Sequence, residues 1–152
     1  MDRQGGSIFK RRRQPAEGWK RFTGTVLENE SSLREFGISV NQPVWWSEPV
    51  KWLSEWRAYC AGGEVLDFQR CPHTPVDGPT PSMDVVARAA AAMFNRQDRI
   101  SGIILDFGVL DTGQTALVEA NDGFSFGAYG EVSAKTVWAV WTARWPELFA
   151  TN

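Results

Sequence analysis

The chain holds 152 residues, 43% hydrophobic and 22% charged, with a net charge of −2. Those proportions describe one folded domain rather than a disordered chain, and the near-balanced charge gives no general attraction to nucleic acid or an anionic membrane. Two cysteines, Cys60 and Cys71, are too few for a zinc centre and read as reduced thiols of a cytoplasmic protein, while no apolar run approaches the roughly 20 residues that span a bilayer and the start lacks the apolar core of a secretory signal.

In chain order, Ser7-Ile8-Phe9-Lys10 reads as a short strand that enters a basic loop from Arg11 to about Arg21. Phe22–Leu27 resumes as a strand, and Glu28–Phe36 reads as a short helix, with Asn29 to cap it and Gly37 to end it. Pro43–Glu48 and Lys51–Ala61 are strand-like, with Pro49 marking a bend or an edge between them. Gly62-Gly63 is a turn, and Glu64–Arg70 returns as its hairpin partner. The proline-rich stretch from Cys71 to Pro81 is a loop. After it, Ser82 starts a helix with an apolar stripe of Val85, Val86, Ala89, Ala92 and Met93. Gly102–Gly108 and Thr115–Ala120 are strands flanking the turn Asp111-Thr112-Gly113. A glycine-rich loop, Asp122–Gly130, leads to a last helix. Ser133 is placed to cap it, Val137, Trp138, Trp141 and Trp145 share one face, and Pro146 ends or kinks it. The order of strands and helices predicts an α+β fold with antiparallel sheet.

The chemistry concentrates in the second hairpin. Its turn brings Asp106 and the Glu119/Asn121 pair towards one open end of a sheet, and residues two apart on a strand leave the same face. Two carboxylates and an amide suit a hard cation such as Mg2+, which keeps waters and shares its remaining positions with substrate phosphates. The competing reading has Asp106 capping a turn and Glu119 at an exposed strand end. The glycine-rich loop beyond them either admits a substrate closely or simply connects two elements. Lys10, taken alone, is an ordinary solvated lysine or a point charge for a phosphate. The loop Arg11–Arg21 covers phosphates, binds nucleic acid non-specifically, or is a solvated charge run. Glu55 and Arg57 share a strand face, where they hold a ribose hydroxyl and a phosphate or form a surface pair of little energetic weight. His73, the only histidine, reads as solvated.

As an ordered set, Ile8-Phe9-Lys10, Lys20-Arg21-Phe22-Thr23-Gly24, Ser47-Glu48-Pro49-Val50, Ser54-Glu55-Trp56-Arg57, Leu105-Asp106-Phe107-Gly108 and Val118-Glu119-Ala120-Asn121-Asp122-Gly123 resemble the ATP-grasp superfamily, especially its small phage and bacterial members of uncertain substrate. The resemblance implies two small α+β subdomains with antiparallel sheets that clamp a nucleotide, about residues 7–50 for the nucleotide clamp and 51–152 for the metal-binding part. It implies that Lys10 contacts ATP phosphates and that Lys20, Thr23 and Gly24 belong to the phosphate-covering loop. Glu48 and Val50 would line the adenine hinge, Glu55 would take the ribose, and Arg57 would stabilise the transferred phosphate. Asp106, Glu119 and Asn121 would hold Mg2+. Family members also carry an N-terminal domain, whereas this chain begins almost at the lysine strand, so the resemblance implies either a split form whose acceptor site a second copy or a partner protein completes, or a fold kept without full ligase activity.

The function expected on these grounds is an ATP- and Mg2+-dependent carboxylate–amine ligase, or its catalytic half, acting through an acyl-phosphate. The alternative is a non-catalytic ATP-grasp-derived module that binds nucleotide or protein. Nucleic-acid binding through residues 10–21 is disfavoured by the overall charge.

Overall fold

The computed structural model describes residues 6–9, 25–27, 45–47, 49–96 and 100–149. The chain divides into two compact units, Met1–Val50 and Lys51–Asn152. In the first, Gly6–Phe9 (β1) lies between Thr25–Leu27 (β2) and Trp45–Ser47 (β3), antiparallel to both. The expected helix at 28–36, the basic loop, and Lys10, Lys20, Thr23, Gly24 and Glu48 lie outside the described residues.

The second unit is a four-stranded antiparallel sheet in the order β5-β4-β6-β7 with two helices: Trp52–Ala61 (β4), Glu64–Arg70 (β5), Met83–Phe94 (α1), Gly102–Leu110 (β6), Thr115–Asp122 (β7) and Ala134–Phe149 (α2). Gly62 and Gly63 both adopt positive φ, 61° and 85°, which a two-residue hairpin needs to match the twist of its strands and which side chains resist. The second hairpin turns through Asp111-Thr112-Gly113, closed by the Gly113 N–H on the Leu110 carbonyl and the Leu110 N–H on the Gln114 carbonyl, both at 2.8 Å. Its strands run further than their apolar runs suggest, to Leu110 and Asp122.

Alternation along β4 sorts the two faces of this sheet. Ala58 and Cys60 point to one side with Ile103, Leu105 and Phe107, and α1 covers them with Val86 and Ala90. The apolar stripe of α1 is rotated from expectation: Ala90 is buried and Ala92 is exposed. Ser82 starts α1 without a side-chain cap; its carbonyl accepts the Val85 and Val86 N–H groups, and its own N–H is taken by the Thr115 hydroxyl. Tyr59 and Ile104 point to the other side, where Val140 of α2 packs against them. Ser133 does cap α2, its Oγ accepting the Thr136 N–H at 3.1 Å. Pro146 does not end the helix, which continues to Phe149. Among the described residues no helix is long and apolar enough to cross a membrane.

Gly102 is where α2 meets the sheet. A Cβ there would fall against the Val140 carbonyl oxygen and the Arg144 backbone. Gly102→Ala is therefore expected to lower unfolding stability by about 1–3 kcal/mol through overpacking, read as a reduced urea midpoint. An unchanged midpoint would show that α2 can draw back from β6 at no cost.

Candidate functional site

One row of residues crosses the second sheet on the face that α1 leaves uncovered. Gln69 on β5 is opposite Arg57 on β4, Arg57 is opposite Asp106 on β6, and Asp106 is opposite Glu119 on β7. The next row contains Asp67, Tyr59, Ile104 and Asn121. The last step depends on a β-bulge. Counting back from the turn, Val109 faces Thr115 and Phe107 faces Leu117, so a regular ladder would set Asp106 against Val118 and turn Glu119 to the opposite face. A register shift between Asp106 and Phe107 inserts one extra residue on β7 and brings Glu119 round to Asp106.

Asp106 is fully buried in the centre of the sheet, and Arg57 is 5% exposed beside it. The guanidinium grips the carboxylate with both prongs, Nε to Oδ1 at 2.7 Å and Nη2 to Oδ2 at 2.6 Å. Its Nη1 donates to the Gly127 carbonyl at 2.9 Å, and its plane lies 3.9 Å from the centre of the Tyr129 ring. The Asn121 amide nitrogen donates to Glu119 Oε1 at 2.8 Å and lies 3.3 Å from Asp106 Oδ2. The structure thus brings Asp106, Glu119 and Asn121 together, in mid-sheet and on one face instead of at the sheet's open end.

The charge balance at this point is negative. Glu55, one row along β4 on the same face, joins Asp106 and Glu119 against one guanidinium among the described residues. Burial pushes the Asp106 carboxyl above the usual carboxylate range; Arg57 opposes that shift and Glu119 adds to it. Burial also raises Glu55, reinforced by Asp106 and Glu119. Against the desolvation that burial imposes, the bonds and charge of Asp106 hold the Arg57 guanidinium protonated even more firmly than usual. Among the described residues no group of three or more His, Cys, Asp or Glu side chains is arranged to hold a metal ion. The oxygen set available here is two carboxylates and one amide, which suits a cation that takes its other oxygens from substrate and water. Asn121 turns its NH2 towards both acids, and rotating the amide would present its oxygen to a cation instead.

Above the row lies a cleft of about 350 Å3 lined by Arg57, Glu119, Asn121, Phe126, Gly127 and Tyr129. Its far wall is the glycine-rich loop, pinned at Gly127 by Arg57 and at Tyr129, whose N–H donates to the Tyr59 hydroxyl at 2.8 Å. A second hollow of about 170 Å3 adjoins it across Tyr129 and contains Glu55, Cys71, His73 and Thr74. There Thr74 Oγ1 bonds both the N–H and the carbonyl of Glu55, each at 2.8 Å, and the Cys71 N–H bonds the Glu55 carbonyl at 2.9 Å. Burial pushes the Cys71 thiol up to about 12, so it stays protonated beside the Glu55 carboxylate. His73 is exposed and Val50 is 45% exposed.

Sequence reasoning missed Tyr59 and Tyr129. Strict alternation after Glu55 and Arg57 would have put Tyr59 on the same face. Tyr129 carried no signal, because its place depends on how a loop folds back over another strand.

No significant relative of the chain is found among curated proteins. Among solved structures, the ATP-grasp ligase PsnB complexed with minimal precursor, Mg and ADP is similar at a TM-score of 0.45 and 16% identity, over 78% of this chain and 38% of that one. The chain therefore spans about two fifths of that ligase's length. The ATP-grasp domain of the R-two-K clade, family 2, matches residues 7–140. With most of its length under that match, the α+β chain belongs to this clade of ATP-grasp domains.

Proposed function

We propose that the chain binds ATP with Mg2+ and serves as a carboxylate–amine ligase, or the catalytic half of one, through an acyl-phosphate. The observation that carries this reading is the row Arg57–Asp106–Glu119 with Asn121, set in the floor of a cleft and negative overall. Asp106, Glu119 and Asn121 would hold the Mg2+, which when bound supplies charge neutralisation for phosphate oxygens. Arg57 has two of its five N–H donors left after Asp106 and Gly127, and these meet anionic oxygen in the cleft. Its bidentate hold on Asp106 fixes both groups before substrate arrives, so little reorganisation is needed as charge develops. Glu55, clasped through its backbone by Thr74 and Cys71, is the acid for a ribose hydroxyl. In this reading Lys10, Lys20, Thr23, Gly24, Glu48 and Val50 form the nucleotide side within residues 7–50, and residues 51–152 form the metal side.

The test is calorimetric titration of ATP into the chain with and without Mg2+, across pH. Glu55 and Asp106 have folded-state pKa values raised by burial, so their contribution to stability is complete at low pH. It is lost as pH rises above the ordinary Glu value of 4.5 and through the folded values. A cation that binds the ionised forms competes with those protons. ATP affinity is therefore expected to need Mg2+ and to strengthen as pH rises from the ordinary carboxylate range through the raised folded values, with Mg2+ raising Tm most at the upper end. Affinity that ignores Mg2+ at every pH would overturn the metal assignment. Mg2+-dependent binding with no ADP release in the presence of any carboxylate and amine would favour the non-catalytic module.

A further inference from the structure

The last helix carries an aromatic face that the rest of its unit leaves largely uncovered. Trp138 is 65% exposed, Trp141 39%, Trp145 50% and Phe149 63%, and Phe124 from the loop after β7 joins them at 42%. The rings hold one another in place. Phe124 lies 5.2 Å from Trp145 and 6.3 Å from Trp141, and Trp145 lies 4.8 Å from Phe149. Side chains already fixed by their neighbours lose little freedom on docking.

We infer that this face is a homodimer interface, in which the α2 helices of two copies pack antiparallel about a twofold axis. Area is the first argument. Five rings of roughly 150–250 Å2, about half exposed, leave on the order of 500 Å2 of aromatic surface, near the upper end of what a monomer carries in one patch. With the small residues around it, that approaches the roughly 800 Å2 per partner of a stable complex, and tryptophan is the residue most concentrated at interface centres.

Charge is the second argument, and it selects the occupant. Between Thr136 and Phe149 the helix has only two charged residues. Arg144 is turned into the protein against Asp122 and Glu147, and Glu147 is held by Arg144 and Ser101. The exposed stripe is therefore uncharged. Lys135, one turn before Trp138, is the exposed cation of this helix beside the stripe, and a single lysine is too little to hold an acidic peptide, a nucleic acid or an anionic membrane. A copy of itself meets it without like-charge repulsion. The Thr142 hydroxyl in the middle of the stripe bonds the Trp138 and Ala139 carbonyls of its own helix, so docking strands no polar hydrogen there. In the antiparallel arrangement Trp138 of one copy faces Phe149 of the other.

Sedimentation velocity of the full chain across concentration tests this. A monomer–dimer equilibrium in the micromolar range is expected, and Trp138→Glu, at the least packed ring, should weaken it at least tenfold with unchanged circular dichroism. An equimolar mixture of Trp138→Glu and Phe149→Lys should recover dimer as the heterodimer, since each carries one charge to the facing position. A chain that stays monomeric up to about 100 µM overturns the proposal, with binding to phosphatidylserine vesicles then marking a membrane face instead. A dimer unaffected by Trp138→Glu places the interface elsewhere and overturns it equally.

Discussion

Replacing Asp106 with alanine is expected to lower unfolding stability by about 3–5 kcal/mol, the largest single-site loss in the second unit. The reason lies with the partner left behind. Arg57 is 5% exposed, and its guanidinium cannot shed its proton in the interior, so the substitution removes its bidentate partner and leaves those two donors unpaired, with Glu55 and Glu119 as the nearby charges that remain. The reverse experiment is asymmetric. Arg57→Leu leaves Asp106 buried, but a carboxyl whose pKa burial already raises can take up a proton and become neutral. Its destabilisation should therefore shrink as pH falls through the raised Asp106 value, whereas that of Asp106→Ala should not. Urea unfolding of both variants at two pH values separates the cases. Equal pH dependence would show that the two groups are not the coupled pair their geometry describes.

Much of the second unit was legible because its signals are local. Gly62-Gly63 between alternating strands announces a hairpin, and Asp111-Thr112-Gly113 announces another. Ser133 just ahead of the apolar spacing from Val137 announces a helix start, and its Oγ does cap it. The site itself was legible as a set of residues but not as an arrangement. That Glu55 and Arg57 share a face follows from a period of two; that Arg57 lies opposite Asp106 is a pairing across 49 positions that no local pattern encodes. Read separately, Arg57 looked like a phosphate ligand and Asp106 like a metal ligand at a sheet mouth. The fold makes them one buried unit. The bulge on β7 is equally silent in the sequence, yet without it Glu119 would leave the opposite face. Pro146 does not end the helix because a proline three residues from a helix end removes a single hydrogen bond, to the Thr142 carbonyl, in a turn open to solvent.

The aromatic-rich tail shows the same limit. The spacing of Trp138, Trp141 and Trp145 correctly places them on one helix face, but tryptophan at helical spacing is usually core. Here the core face is the one with Val140 and Arg144. The tertiary pairing of Arg144 with Asp122 and Glu147, at 3.0 and 2.9 Å, is what turns a charged residue inward there.

Glu119→Gln is expected to separate function from stability. Glu119 raises the pKa of both Asp106 and Glu55, which means that its negative charge disfavours their ionised forms in the folded chain. Removing that charge while keeping the shape relieves the repulsion, and a glutamine can still meet the Asn121 amide through its oxygen. Unfolding stability at pH 7 should stay the same or rise slightly. A Mg2+–nucleotide complex, by contrast, would lose one anionic ligand. A charge-assisted contact contributes roughly 1.5–3 kcal/mol, so Mg2+-dependent ATP affinity should fall by about tenfold to a hundredfold. A residue present only to hold the sheet together would show the opposite pattern, with stability lost and nucleotide binding falling only as the fold failed. Raised stability beside weakened binding would mark a site whose close carboxylates are there to hold a cation. Denaturation and calorimetry on the same preparation decide it: weaker folding with intact affinity would remove Glu119 from the metal set.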